Sequence, residues 1–361
     1  MGIKLLHTAD LHLDRPLLAL GERRTVRRAE MRARFEELLG LARERQVDAL
    51  LVAGDLFDRP AADSAPWVKG HLGALAAEGI RVYLIPGNHD AHPACPFYAG
   101  DFPPGVCVFR EPALQANLDL PGTALYGLAY HAAGRHRSPL AGLSLIPGIR
   151  WHVALVHGQV RSSGLVGQDY APLEPAEIAA SGLDYLALGH YHGYKDCSAG
   201  QTRACYAGSP HRLDFGDTAP RQAVLVELGE EVRVEPIPLA DRQFLQIEGE
   251  AGRPEKLYEQ LVRLDDPGAI LRVRLTGRAG TPVAGLAADL RDKFGDKFFS
   301  LEVDAAGAAT QVPAAQAGTV AHAFARLMAE KLAAAPDPET AELVRLAADY
   351  GLLALEGRQL P

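Results

Sequence analysis

Short apolar runs that stop abruptly at polar residues set the pattern of the first half of the chain. Ile3–Thr8, Val47–Ala53 and Arg81–Ile85 have the length and branched-residue content of buried strands. Segments with helical spacing lie between them. Thr25–Arg45 places Met31, Phe35, Leu38, Leu39 and Ala42 on one stripe, and Ser64–Glu78 opens on Ser64 with Pro66 in its first turn. Strands alternating with helices predict an α/β core with largely parallel pairing. After about residue 105 the strand-like runs crowd together: Val106–Arg110, Thr123–Ala129, His152–His157, Asp184–Leu188, Arg203–Ala207 and Gln222–Leu228. They predict a second sheet.

The pattern changes at Leu239–Arg242. Beyond it, strands over Phe244–Glu248, Ile270–Thr276 and Phe298–Val303 and helices over Pro254–Leu264 and Pro282–Phe294 predict a small α+β unit. Residues 305–319 are mostly Ala, Gly, Gln and Thr without core periodicity, and are expected to be a linker. The tail reads as helical: Val320, Phe324, Leu327, Met328 and Leu332 form one stripe, and Asp337-Pro338 opens a second helix with a cap and a proline at its first position. The expected organisation is therefore 1–240, a small domain at 241–304, the linker, and a helical tail at 320–361.

Composition narrows the field only a little. Hydrophobic residues are 48% and charged residues 23% of 361, the balance of an ordinary globular chain. A net charge of -8 argues against wholesale coating of nucleic acid. No apolar run approaches the ~20 residues of a membrane span, and the start shows no secretory pattern, so a cytoplasmic protein is expected. Cys95, Cys107, Cys197 and Cys205 form no C-x-x-C pair, which argues against a thiolate zinc site; four reduced thiols are the expectation, although Cys197 and Cys205 flank Gly200-Gln201 as a hairpin disulfide would.

The chemistry lies where the strands end. The first runs into Asp10-Leu-His12, the second into Gly54-Asp55-Leu-Phe-Asp58, and the third into Gly87-Asn88-His89-Asp90. Two later strands end in His157-Gly158 and Gly189-His190-Tyr-His192. Ligands of open α/β sheets bind at the carboxyl ends of strands. Each motif alone has a bland explanation as a capping Asp, a turn Asn or a packed His; five together do not. Oxygen and imidazole donors without thiolate suit Mn²⁺, Fe²⁺ or Zn²⁺. Seven ligands exceed the needs of one ion and match two ions sharing a carboxylate, as in two-metal phosphoryl transfer.

D-x-H, G-D-x-x-D, G-N-H-D, a lone His and G-H-x-H in this order resemble the calcineurin-like metallophosphoesterases, over residues 3 to about 228. The segments HTADLHLD, GDLFDRP, PGNHD and YAGSPHRLDFGD are similar to the SbcD/YhaO-type DNA repair exonucleases. This resemblance implies a two-sheet αββα sandwich with a small α+β capping domain and a helical C-terminal tail. It also implies roles. Asp10, His12 and His192 hold one ion, Asn88, His157 and His190 the other, and Asp55 bridges them. His89 stands over the scissile phosphate, and Asp58 orients His89. The implied cofactors are two divalent ions, Mn²⁺ first, with Fe²⁺, Zn²⁺ or Mg²⁺ as alternatives.

The function implied is Mn²⁺-dependent DNA hydrolysis in double-strand-break repair or end processing. The implied partners are DNA, an SMC-like coiled-coil ATPase docked on the tail helices, and a second copy of the chain. Two rivals stand beside it: a small-molecule phosphodiesterase or phosphatase with the same centre, and a non-catalytic DNA-binding scaffold. Turnover of a nucleotide monoester against linear DNA separates the first, and the effect of a His89 substitution the second. Arg59, next to Asp58, is a candidate phosphate contact. His7 is expected to pack rather than ligate, and His92 to be a loop residue. Nine arginines between Arg15 and Arg45 fit either a phosphate-tracking surface or an ion-paired helix face. His71, His131, His136, His152, His211 and His322 fit no motif.

Overall fold

The computed structural model describes residues 2–91, 95–131, 136–161, 170–279, 283–310 and 319–355. The chain divides into two compact units, Met1–Asp241 and Arg242–Pro361.

In the first unit β1 (Ile3–Thr8), β2 (Ala49–Ala53), β3 (Arg81–Ile85) and β4 (Val106–Val108) pair in parallel, with α1 (Arg24–Glu44) and α2 (Ser64–Ala77) as crossovers. A second sheet holds β5 (Gln115–Asn117), β6 (Thr123–Gly127), β7 (Trp151–His157), β8 (Tyr185–Gly189), β9 (Lys195–Asp196) and β10 (Arg203–Tyr206), in the order β5-β6-β7-β8-β10-β9. The short α3 (Pro175–Ala180) precedes β8. Then β11 (Gln222–Leu228) returns to the first sheet antiparallel to β1, and β12 (Val232–Pro238) completes it.

Alternation along the strands makes the layers. Leu50, Val52, Val82 and Leu84 face Phe35, Leu38, Val68 and Leu72 of the two helices. Ala49, Leu51, Tyr83 and Ile85 face the other way, onto Val153, Leu155 and Tyr185 of the second sheet. The outer face of the second sheet packs Ala154, Val156, Leu186 and Leu188 with Ile178 of α3. The result is the expected αββα sandwich. Both sheets are covered, so their central strands are apolar on both faces.

The second unit is built on three parallel strands, β13 (Phe244–Glu250), β14 (Ile270–Ala279) and β15 (Ser300–Thr310). The connections are α4 (Pro254–Arg263) and α5 (Val283–Phe294), with a core of Leu257, Leu261, Val273, Leu275, Leu290 and Phe298. Strand β15 runs to Thr310, into the stretch read as a linker. Its later residues pair with β14 after a register shift between Arg274 and Thr276, and Ala308 joins the core. Alanine and glycine carry no alternation that would announce such a strand. In the tail, α6 (Val320–Ala333) and α7 (Pro338–Leu355) are capped as their sequences suggest. Thr319 accepts from the His322 N–H at 3.2 Å and Asp337 from the Thr340 N–H at 2.7 Å. The two helices pack closely where Gly351 meets Phe324. No helix among the described residues is long and apolar enough to cross a membrane. All four cysteines are free.

Candidate metal centre

The carboxyl ends of β1, β2 and β3 in one sheet and of β7 and β8 in the other open at the same edge of the sandwich. Their loops bring the motif residues together. Asp10, His12 and His192 offer ligand atoms within 4.8 Å of one another, and so do Asp10, Asp55 and His157. Asp10, His12 and Asp55 are at most 2% exposed.

Asp55 sits between the two sets. Its Oδ1 accepts from the His89 backbone N–H at 2.8 Å. Its Oδ2 lies 3.6 Å from His12 Nε2 on one side and 3.4 Å from His157 Nε2 on the other. His12 Nε2 faces His192 Nε2 at 3.3 Å. On the second side, His157 Nε2 and His190 Nδ1 converge on the Asn88 Oδ1 at 3.0 and 3.1 Å. His157 is aimed by its other nitrogen, which bonds the Ala53 carbonyl at 2.9 Å. Its Nε2 lone pair is thereby turned inward.

The backbone bends sharply to do this. Asp10, His12, Asp55 and His190 all have positive φ, at 54°, 46°, 50° and 108°. L-residues adopt this region only where their surroundings impose it, and such residues cluster at functional sites. Here the Asp10 N–H donates to the Gly54 carbonyl at 3.1 Å and the His12 N–H to the Asp55 carbonyl at 3.0 Å, tying the first two loops together. Gly54 itself has φ +93°, and a Cβ there would lie 2.3 Å from His157 Nδ1.

Electrostatics pull neighbours apart. Burial pushes the Asp10 carboxyl up, against the pull of His157 and His192. Burial acts the same way on Asp55, but His157, His12 and His89 outweigh it and hold Asp55 below the usual carboxylate range. Burial alone would depress His157; the Asp55 charge overcomes it and raises His157 to about 9. His190 is lowered to about 3 by burial and then by His157. Buried imidazole and carboxylate donors facing one inner space repel unless protons or cations lie between them. Oxygen and nitrogen donors in two sets about one shared carboxylate fit a pair of divalent ions.

His89 is 44% exposed and stands at the rim. Its Nδ1 is 3.2 Å from Asp58 Oδ1, and that bond raises its pKa. The same Asp58 oxygen is 3.5 Å from His12 Nδ1, so Asp58 serves two imidazoles and is itself held far below its ordinary range by both. Arg59 is exposed and makes no hydrogen bond or ion pair among the described residues. His92 lies outside the described residues. His7 packs inside, its Nδ1 2.8 Å from the Tyr185 hydroxyl.

Four of the six arginines of α1 are ion-paired, and Arg28 bonds the Arg15 carbonyl at 3.0 Å. Arg27 is 2% exposed and grips Asp241 through both Nη atoms at 2.8 and 3.1 Å. Arg43 makes a two-bond contact with Glu78, Arg34 pairs with Glu37, and Arg32 bonds Asp63 and Ser64.

Three further residues support these loops. Asp90 is buried and accepts from the Gly87 N–H at 2.8 Å, the Phe57 N–H at 3.1 Å and the Tyr98 hydroxyl at 2.8 Å, which locks the β2 and β3 loops together. His211 Nε2 meets the Leu11 carbonyl, between Asp10 and His12, at 2.5 Å. Asp217 Oδ1 lies 3.7 Å from His192 Nδ1, and Arg221 donates to the His192 carbonyl at 3.0 Å. His211 and Asp217 both lie within YAGSPHRLDFGD, a segment that carries the resemblance but announces no role for either.

Comparison with known proteins agrees with this geometry. The chain is 27% identical over 237 residues to an uncharacterized metallophosphoesterase, YhaO, of Bacillus subtilis, covering 63% of this chain and 57% of that one. It is 29% identical over 278 residues to the DNA double-strand break repair protein Mre11 of Methanosarcina acetivorans, covering 72% and 42%. It is 28% identical over 349 residues to the D subunit of the nuclease SbcCD of Rhodobacter capsulatus, covering 80% and 83%. The chain thus spans about half the length of the first two relatives. The family model of the calcineurin-like phosphoesterases matches residues 3–194, the segment that carries every ligand motif described above, and the chain belongs to that family.

Proposed function

We propose that this phosphoesterase is a Mn²⁺-dependent DNA nuclease acting on broken or unprocessed DNA ends. The observation that carries the reading is Asp55 Oδ2, poised 3.6 and 3.4 Å from imidazoles of two separate donor sets. Asp10, His12 and His192 hold one ion, Asn88, His157 and His190 the other, and Asp55 both. Bound there, two divalent ions neutralise a phosphodiester and acidify the attacking water. His89, exposed at the rim and oriented by Asp58, stabilises or protonates the leaving oxygen. The Asp58 contact favours its protonated form, which suits that task. Arg59, solvent-facing beside Asp58, is available to the phosphate backbone.

The names of two relatives, a double-strand break repair protein and a nuclease component, support DNA over a small diester. Exposed apolar residues on the tail helices, Leu327 at 49%, Leu343 at 62% and Leu346 at 44%, support docking of an ATPase coiled coil there. A second copy of the chain and a cytoplasmic location complete the proposal.

The test is cleavage of end-labelled duplex and single-stranded DNA with Mn²⁺, Mg²⁺ or EDTA. Mn²⁺-dependent cleavage, lost in Asp55→Asn and His89→Asn, is expected. Hydrolysis of a small phosphodiester without any DNA cleavage would reject the nuclease reading and leave a small-molecule phosphodiesterase. Full activity in His89→Asn would reject its assignment to the leaving oxygen.

A further inference from the structure

Beside His157, the loops at the carboxyl end of β6 enclose a cavity of about 640 Å³. This is within the range of pockets that enclose a drug-sized group. Its walls are largely apolar: Leu114, Leu128, Pro139 and the Tyr130 ring. Its rim is cationic, with Arg137 exposed and without a carboxylate partner among the described residues. His157 lines the cavity and also faces the metal centre. The two spaces therefore meet at one residue.

The floor is fixed. The Ala129 N–H donates to the Glu111 carbonyl at 2.8 Å, continuing the β5–β6 pairing. The Tyr130 N–H donates to the Pro86 carbonyl at 3.1 Å, two residues before Asn88. The cavity wall and the metal loop therefore hold one register. A phosphodiester at the centre carries a nucleoside on each side, and an apolar cavity next to the centre suits one of the two bases. A base inside a duplex reaches such a cavity only after unstacking and unpairing.

We infer that this cavity receives the unpaired nucleobase flanking the scissile phosphate, with Arg137 meeting the next phosphate along the strand. The inference rests on the nuclease reading and gives it a substrate class: single-stranded DNA or a frayed end. The walls recognise a π-face rather than a hydrogen-bonding edge, so any base is accepted.

Ala113 and Ala141 are exposed wall positions where a larger side chain fills the cavity without entering the core. The experiment compares the full-length wild type with Ala113→Phe, Ala141→Phe and Arg137→Ala. Substrates are a labelled single strand, the same strand with an abasic site moved stepwise along it, and bis(p-nitrophenyl) phosphate, all with Mn²⁺. The ratio of strand to small-diester turnover is expected to fall about 10- to 100-fold in the filled variants, the worth of one stacked base. The wild type should lose as much on the strand whose abasic site flanks the cut, and the filled variants should lose nothing more there. Equal turnover of intact and abasic strands by the wild type, or an unchanged ratio in both filled variants, would overturn the inference. A wild type that turns over the diester but no strand removes the nuclease reading, and the inference with it. A second arm needs no turnover: quenching of a 2-aminopurine strand without metal, present in the wild type and lost in Ala113→Phe, supports the cavity, and equal quenching in both overturns it.

Discussion

At the residue scale, the centre depends on side chains that touch neither ion nor substrate. His192 turns Nε2 toward His12 and leaves Nδ1 facing Asp217. A carboxylate there accepts from the Nδ1–H, which fixes the tautomer that keeps Nε2 free to ligate. Asp217→Ala should therefore weaken Mn²⁺ binding about 10- to 100-fold, read by calorimetric titration. Unaltered affinity would remove Asp217 from the centre. His211 has a pH signature of its own. Burial, and then the Arg27 charge, lowers it to about 3. The unfolded chain takes up that proton near the ordinary value of 6.5, the folded chain only near 3. Stability is thus unaffected above pH 6.5 and falls as pH drops from there toward 3, by up to about 1.4 kcal/mol per unit. His211→Gln keeps a donor for the Leu11 carbonyl and does not titrate. Urea midpoints of the metal-free protein between pH 7 and 4 should fall less steeply in this variant than in the wild type. Parallel slopes would mean that His211 is protonated when folded.

At the scale of elements, every proposed ligand sits at the end of a strand or just past it, and the turns must be tight enough to bring loops from two sheets together. Gly54 shows the constraint: an alanine would combine positive φ with a Cβ 2.3 Å from the His157 ring. Gly54→Ala is expected to lower stability by at least about 2 kcal/mol and to displace His157, so that metal binding falls with the thermal midpoint. A fully stable variant would show that the loop has room to move. The same tightness explains what can be read from sequence. Strands β1, β2, β3, β7 and β8 announce themselves because an apolar run collides with Asp, Asn or His, and each collision is a site residue. Strands β5, β9 and β12 and helix α3 carry no such signal, because they are short, half-exposed or polar: β12 reads Val-Arg-Val-Glu-Pro-Ile-Pro. Arg27 reads as one more charge on a helix face. Its partner Asp241 is more than two hundred residues away, and no local pattern reveals such a pair. His211 and Asp217 escape for the same reason: their roles are set by which distant backbone or ring they meet.

At the scale of the whole molecule, the two units have separate cores. Leu5, Leu6, Leu50 and Leu51 belong to the first, and Leu257, Leu271 and Phe298 to the second. A chain with two cores and one metal centre should melt in two steps, of which only one responds to metal. Mn²⁺ at a hundred times its Kd adds about 2.7 kcal/mol to the step it is linked to. The other step should not move. The boundary can be tested in the same melt. Asp241, the last residue of the first unit, is held by Arg27 with both side chains 3% exposed. Asp241→Ala removes the two-bond partner of that buried guanidinium, leaving it Glu30 at 3.3 Å and the Arg212 carbonyl at 3.0 Å, and should lower the metal-responsive step by up to about 3 kcal/mol. A fragment ending at Asp241 should show that step alone, keep its response to Mn²⁺, and respond to Asp241→Ala by the same amount. If the fragment does not fold, or if Asp241→Ala shifts the metal-insensitive step instead, the first unit does not end where its core and its Arg27–Asp241 pair place the boundary.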